Sequence, residues 1–239
     1  MTTSAQSLQV KIFADGADLA AILQLCEDPL IRGFTTNPTL MRKAGVSEYE
    51  AFAKEVLRAV KDRPISFEVF SDDFAEMEAQ AMKLASWGEN VYVKIPVTNT
   101  RGDGSAPLIS RLAGRGVKVN ATAILTIDQV QTVTRALAGG PPCIVSVFAG
   151  RIADAGVDPL PLMKAALEVV APHSNIEVIW ASPREVFNVV QADQIRCHII
   201  TVPADILKKL PLLGRDLAEL SLETVRMFHR DAAAAGYTL

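Results

Sequence analysis

The chain predicts an α/β protein, a single-domain (β/α)8 TIM barrel, and three observations point there. Short β-branched runs alternate without a break with longer segments of helical period, and eight such runs can be counted. The length of 239 residues, 49% of them apolar, suits one domain with a large core. No linker, low-complexity segment or charge block divides residues 1–239. An open doubly wound sheet would want a glycine-rich turn after the first strand, and Ala14-Asp15-Gly16-Ala17 does not supply GxGxxG.

Taken in order, the first strand is expected over Val10–Ala14 and the second over Ile31–Thr35, ending in an Asn37-Pro38 turn. Ser47 with Glu50 matches a capping box, and the helix it opens places Tyr49, Phe52, Val56 and Val60 on one face. The third strand, Ile65–Phe70, leads to a helix whose apolar stripe is Phe74, Met77, Ala81 and Leu84. The fourth, Asn90–Ile95, precedes the loop Thr98–Gly104. The fifth, Val117–Ala121, is followed by a capping box of Thr126 with Gln129. After the sixth, Cys143–Val147, Asp158-Pro159 supplies a cap followed by proline at the first helical position. The seventh, Ile176–Trp180, is followed by a third capping box, Ser182 with Glu185. The eighth, Cys197–Thr201, is followed by a short helix near Ala204–Leu210. An extra C-terminal helix, about 215–234, is expected to pack on a neighbouring subunit or over a barrel end.

Composition excludes several function classes. A net charge of −3 gives no reason to expect nucleic acid or an anionic membrane as partner. Cys26, Cys143 and Cys197 stand far apart, and His173, His198 and His229 form no ligand cluster, so neither a disulfide framework nor a metal site is expected. No apolar stretch approaches the roughly 18 residues of a membrane span, and the polar start Met1 to Gln6 carries no signal-peptide core. A soluble, cytoplasmic protein without a cofactor is the expectation.

In a (β/α)8 barrel the active site lies where strands end and the following loops begin. Read in order, those ends carry Asp15, Asn37, Glu68, Lys94, Asn120 with Thr122, Ser146, Ser182 and Thr201. Lys94 is the anomaly among them, because it interrupts the apolar run Val91-Tyr92-Val93-Lys94-Ile95-Pro96-Val97. A lysine held in a dry pocket shifts toward its neutral form and becomes a nucleophile able to form a Schiff base with a ketone. Strand alternation turns Tyr92 and Lys94 into the barrel and Val91, Val93 and Ile95 toward the helices.

Each residue also has a structural reading. Lys94 could snorkel to solvent, Asp15 could cap the helix entering at Ala17 or Asp18, and Asn37 could be a turn residue before Pro38. Thr122 and Ser146 could simply fill the barrel, and Ser182 could cap its helix. Taken jointly, two carboxylates, a lysine, hydroxyls and amides around one mouth favour a site.

These residues resemble the transaldolase family, in its compact subgroup related to fructose-6-phosphate aldolase. The resemblance is carried by Gly33-Phe34-Thr35-Thr36-Asn37-Pro38-Thr39-Leu40, Val93-Lys94-Ile95-Pro96-Val97, Val119-Asn120-Ala121-Thr122 and Ser146-Val147-Phe148-Ala149-Gly150-Arg151-Ile152. A weaker match is Trp180-Ala181-Ser182-Pro183-Arg184, where the family commonly has an aromatic in place of Pro183. The resemblance implies that Lys94 captures a dihydroxyacetone unit from a ketose phosphate as a Schiff base. It implies that Asp15 handles the C4 hydroxyl proton and that Glu68 with Thr122 holds the catalytic water. Asn37, Asn120 and Ser146 would contact the three-carbon unit, and Arg151 and Arg184 the terminal phosphate, with Ser182 also at the substrate site. Transaldolase activity is therefore expected, and a fructose-6-phosphate aldolase or an enzyme acting on a sulfonated ketose are the alternatives. Aldolase relatives tend to carry glutamine where this chain has Glu68 and tyrosine where it has Phe148, so both positions favour transfer. A non-catalytic sugar-phosphate binding barrel is disfavoured because Lys94, Asp15 and Glu68 are all present. The Thr98–Gly104 loop is longer than in small relatives and is expected beside the pocket. The resemblance further implies a homo-oligomer, a pentamer or decamer.

Overall fold

A computed structural model describes residues 5–238; Met1 to Ser4 of the polar start, and Leu239, lie outside the described residues. All eight expected strands form, and they close in sequence order into a parallel barrel. They are β1 Lys11–Asp15, β2 Ile31–Thr35, β3 Ile65–Glu68, β4 Val91–Pro96, β5 Val119–Ile124, β6 Cys143–Val147, β7 Ile176–Trp180 and β8 Ile199–Pro203. Helix α1 Leu19–Cys26 follows β1, α2 Pro38–Lys43 and α3 Tyr49–Ala59 follow β2, and α4 Phe74–Ala85 follows β3. Then come α5 Ala106–Gly114, α6 Ile127–Leu137, α7 Ala149–Asp154, α8 Pro159–Val170 and α9 Phe187–Gln194. The chain ends in α10 Ala204–Leu207 and the extra C-terminal helix α11 Leu217–Ala235.

Where strand ends differ from the expected ones, a competing hydrogen bond decides. Val117 donates its N–H to Leu112 O at 3.0 Å, and Cys197 donates to Ala192 O at 2.8 Å. Each follows a residue in the left-handed region, Gly116 and Arg196. Both bonds close a preceding helix in the Schellman manner, so β5 and β8 begin two residues later than their β-branched runs suggest. Strand β3 stops at Glu68 because the N–H groups of Phe70 and Ser71 turn to Gln80 Oε1, at 2.9 and 3.2 Å.

The Thr126–Gln129 capping box forms with both of its reciprocal bonds, and Asp158 caps Leu160 N at 2.9 Å. The other two expected boxes do not. Helix α3 begins after Glu48 with no side-chain cap. Helix α9 starts at Phe187, because Ser182 has a φ of 62° and Asn188 Oδ1 takes the N–H groups of Arg184 and Glu185.

Val91, Val93 and Ile95 pack outward against the helix layer, with Phe52 and Val56 of α3 and Met77, Ala81 and Leu84 of α4 in the same core. Inside the barrel a second cluster forms from Phe13, Ile144, Ile179, Ala181 and Ile199, with Tyr92 and Phe148 against it. The Phe13 ring lies over Gly33 so closely that a Cβ there would sit 2.6 Å from it. Near the strand starts, Lys11 pairs with Glu177 at 2.5 Å, and Lys118 Nζ stands 5.9 Å from the centre of the Tyr92 ring. The barrel is therefore filled at its middle and tied at its lower end, which leaves the C-terminal ends of the strands as the open mouth. No helix among the described residues is long and apolar enough to cross a membrane.

Candidate active site

The mouth holds a cavity of about 540 Å³, and every strand except β7 lends it a residue at or near its C-terminal end, while Ala181, just after β7, closes the ring. Asp15, at the end of β1, accepts a hydrogen bond from Thr35 Oγ1 at 2.7 Å, and Thr35 Oγ1 lies 2.5 Å from Thr201 Oγ1. Asp15 does not cap α1; Asp18 does, through Ala21 N at 2.7 Å. Burial pushes the Asp15 carboxyl above its ordinary value, opposed in part by the Lys94 charge and by the Thr35 hydroxyl.

Lys94 and Glu68 face each other because β3 and β4 pair them in register. Lys94 is 6% exposed, so its side chain does not snorkel to solvent. Its Nζ lies 3.1 Å from Glu68 Oε2 and donates to Thr36 O at 3.0 Å. The amine is thus paired and hydrogen-bonded, as a buried charge must be. Both side chains line the cavity, with Asp15 on the same wall system.

Asn120 lies beside Lys94 in the β4–β5 register but is fully buried beneath the cavity and does not line it. Its Nδ2 donates to Ser66 Oγ at 3.0 Å, and its Oδ1 accepts from Ser146 Oγ at 2.7 Å. Of this chain Ser146 reaches the cavity. Thr122 also lines it, and its buried Oγ1 has no hydrogen-bond partner among the described residues. The next residue, Ala123, has a φ of 61°, where the β5–β6 register shifts. A bulge with a strained non-glycine residue beside a free hydroxyl is the kind of feature that aims a side chain at a ligand.

The cationic side of the mouth is built on α7 and the loop after β7. Gly150 packs against the Ser182 carbonyl so tightly that a Cβ would fall 1.5 Å from that oxygen. Arg151 and Arg184 both line the cavity with Ser182 and Phe148. Arg184 is held by Asp154 in a fork, Nε to Oδ1 at 2.9 Å and Nη2 to Oδ2 at 2.5 Å, while its Nη1 donates to Ser182 O at 3.2 Å. Arg151 has no carboxylate within ion-pair distance among the described residues.

Asn37 lines the cavity while its Oδ1 caps α2 through Leu40 N at 3.0 Å. The Thr98–Gly104 loop does not line the cavity. It is folded on itself around the buried Asn99 and tied to Asp72, which accepts from Thr100 N and Oγ1 at 2.7 Å. None of His173, His198 and His229 lines the cavity. Residues that sequence reasoning did not single out include Thr35, Lys43, which lines the cavity from the end of α2, and Thr36, which offers its carbonyl to Lys94. The Thr35-Thr36 pair preceding Asn37 was the sequence signal for the two threonines, and Lys43 had none.

A buried amine beside a carboxylate, a second carboxyl raised by burial and an arginine-bearing wall fit imine formation and proton transfer on an anionic carbonyl substrate. A sequence profile of the family described as Transaldolase/Fructose-6-phosphate aldolase matches residues 12–239. The chain is 34% identical over 202 residues to a probable transaldolase of Dehalococcoides mccartyi, covering 84% of this chain and 90% of that protein. It is 34% identical over 202 residues to probable transaldolase 2 of Listeria monocytogenes, covering 84% and 88%. To a probable transaldolase of Nitrosopumilus maritimus it is 33% identical over 216 residues, covering 90% and 92%.

Proposed function

The chain belongs to the transaldolase/fructose-6-phosphate aldolase family, and we propose that, as one domain, it works as a Schiff-base transaldolase that needs no cofactor. The observation that carries this reading is the Lys94–Glu68 pair, 3.1 Å apart on a cavity wall that also bears Asp15. In the proposed reaction the Lys94 amine, freed of its proton to Glu68 or a water, adds to the C2 ketone of a phosphorylated ketose. Loss of water gives the protonated imine. Asp15 accepts the C4 hydroxyl proton as the C3–C4 bond breaks, and the electron pair passes into the imine to give an enamine. The shortened aldose phosphate leaves. An acceptor aldose phosphate then takes the three-carbon unit at its aldehyde carbon, Asp15 returns the proton to the new hydroxyl, and water releases the product ketose from Lys94.

Thr122 Oγ1 and Glu68 hold that water in this reading, which is supported by the unpartnered Thr122 hydroxyl. Ser146 and Asn37 hold the three-carbon unit, Asn120 orients Ser146 from below, and Phe148 walls off the centre. Arg151, Arg184 and Ser182 bind the phosphate, a task suited to planar cations. Glu68 and Phe148 favour transfer over release of free dihydroxyacetone. A homo-oligomer is proposed from α11, which buries none of its residues and exposes Leu217, Leu222, Val225 and Phe228; the mass of the assembled protein tests it. A cytoplasmic setting is proposed from the scattered free cysteines.

Borohydride reduction in the presence of fructose 6-phosphate, followed by mass mapping, tests the mechanism; absence of a three-carbon adduct on Lys94 would sink it. Comparing transfer to erythrose 4-phosphate with release of free dihydroxyacetone separates transaldolase from aldolase. Turnover of a sulfonated ketose beside its phosphate counterpart decides the terminal group.

A further inference from the structure

We propose that Tyr49, on α3 and outside the cavity, is a positioning residue that holds the Lys94–Glu68 pair in its working geometry. The argument starts from a rung missing from the barrel. Thr36 N donates to Ser66 O at 3.0 Å, so in a parallel ladder the next rung would run from Glu68 N–H to Thr36 O. That rung is not made. Thr36 O instead accepts Lys94 Nζ at 3.0 Å.

The Tyr49 hydroxyl takes the place of the absent strand. Glu68 N–H donates to Tyr49 Oη at 3.1 Å, and Tyr49 Oη donates to Glu68 O at 2.9 Å. A backbone strand could not do the second of these here, because the chain past Thr36 turns through Asn37 into Pro38, which has no N–H to give. One phenol thus satisfies both backbone groups of the residue whose carboxylate faces the amine, and it leaves the Thr36 carbonyl to the lysine. The ring that carries it is fixed by Phe67, Phe70 and Trp87, with centroids 6.3, 5.6 and 6.2 Å away. Burial raises the phenol well above its ordinary value, so it remains a neutral hydroxyl that can donate.

This inference rests on the roles proposed above for Lys94 and Glu68. Tyr49→Phe keeps the ring and removes the two bonds, returning Glu68 N–H to compete with Lys94 for the Thr36 carbonyl. The expected result is a fall in kcat of about tenfold or more with KM within about twofold, because misplacement at the reacting centre costs rate before binding. In a Glu68→Gln background the same substitution should cost less than it does alone, since residues acting as a unit do not contribute independently. Trp87→Phe, which loosens the ring's packing and leaves the hydroxyl, should lower the melting temperature without reproducing the kcat loss. In the parent protein the Glu68 amide should exchange with deuterium as slowly as its ladder-bonded neighbours. A kcat for Tyr49→Phe within twofold of the parent, a loss that multiplies fully with Glu68→Gln, or a rapidly exchanging Glu68 amide would each overturn the proposal. If borohydride leaves no adduct on Lys94 of the parent, the catalytic reading itself has failed; an adduct in the parent beside an unchanged Tyr49→Phe defeats the positioning role alone.

Discussion

Replacing Gly150 with alanine should strike the arginine-bearing wall of the mouth, proposed above to take the phosphate, while leaving the amine pocket in place. The added Cβ would lie 1.5 Å from the Ser182 carbonyl oxygen and 2.7 Å from its carbon, both backbone atoms, whereas ordinary contact begins at 3.4 Å. Relief therefore needs a separation of about 1.9 Å between the first turn of α7 and the loop after β7, from 3.4 less 1.5. That loop has little slack, because Ser182 already sits at a φ of 62° and its carbonyl accepts from Arg184 Nη1. Overpacking of this kind costs about 1–3 kcal/mol, and in a chain of this size about 2 kcal/mol lowers the melting temperature by roughly 4–8 °C. Moving Ser182 and Arg184 by more than an ångström should raise KM for a phosphorylated ketose by about tenfold to a hundredfold. Borohydride trapping of Lys94 with unphosphorylated dihydroxyacetone should stay near the parent level, because no atom of the amine pocket need move. Steady-state kinetics, a thermal melt and the trapping assay check the three parts. A Gly150→Ala enzyme with parental KM and melting temperature would refute the claim that this approach sets the phosphate wall.

Other substitutions separate the remaining contributions. Asp15 has a folded value raised by burial, so its contribution to stability is full below its ordinary pKa of 3.8 and is lost as pH rises through the folded value. Asp15→Asn should consequently be more stable than the parent at neutral pH, with the difference vanishing in acid, while carbon–carbon cleavage falls by about 10²–10⁴-fold; melting temperatures across pH and cleavage rates give both readings. Asp154→Asn should release Arg184 from its fork and lower KM for a phosphorylated donor by a few-fold, with a steeper salt dependence, as seen in kinetics at two ionic strengths. Gly33→Ala would drive a methyl to 2.6 Å from the Phe13 ring inside the barrel, and a loss of about 1–3 kcal/mol should appear in a denaturant titration.

The eight strands were legible as short β-branched runs, buried at nearly every position in β3, β5, β6 and β8, and the longer helices between them by their 3.6-residue period; neither signal needs knowledge of neighbours. The strand ends were less legible. Val117 and Cys197 look like strand residues by composition, yet each spends its N–H on closing a helix, a bond that depends on Gly116 or Arg196 reaching a left-handed conformation. For arginine no local signal announces that. The ring of polar strand ends was readable once the barrel was assumed, since position in the barrel alone brings Asp15, Glu68, Lys94, Thr122 and Ser146 to one mouth. What stayed hidden were partners that depend on three-dimensional proximity. Asp154 grips Arg184 across 30 residues, and Tyr49, which reads from sequence as an apolar stripe residue, spends its hydroxyl on the backbone of Glu68. Asn120 sits in register with Lys94 as strand alternation requires, yet Ser146 covers it, which only the relative heights of β5 and β6 decide.

The two carboxyls of the mouth divide their work because their surroundings differ, although the sequence places both at strand ends. Glu68 has a cation 3.1 Å away and its backbone is pinned on both groups, so its charge is balanced where it stands. Asp15 has only a hydroxyl, Thr35, which is itself shared with Thr201, and burial outweighs the more distant pull of Lys94. A single ammonium cannot fully compensate two partly buried carboxylates, and the cheaper arrangement leaves the unpaired one inclined to hold a proton. In the reaction proposed above, that inclination suits carbon–carbon cleavage: Asp15 would take up the proton of the C4 hydroxyl and return it to a new one, while the neighbouring ion pair would supply the amine. Exchanging the two environments, by placing a cation beside Asp15 or removing the one beside Glu68, would therefore damage catalysis even if every carboxyl were retained.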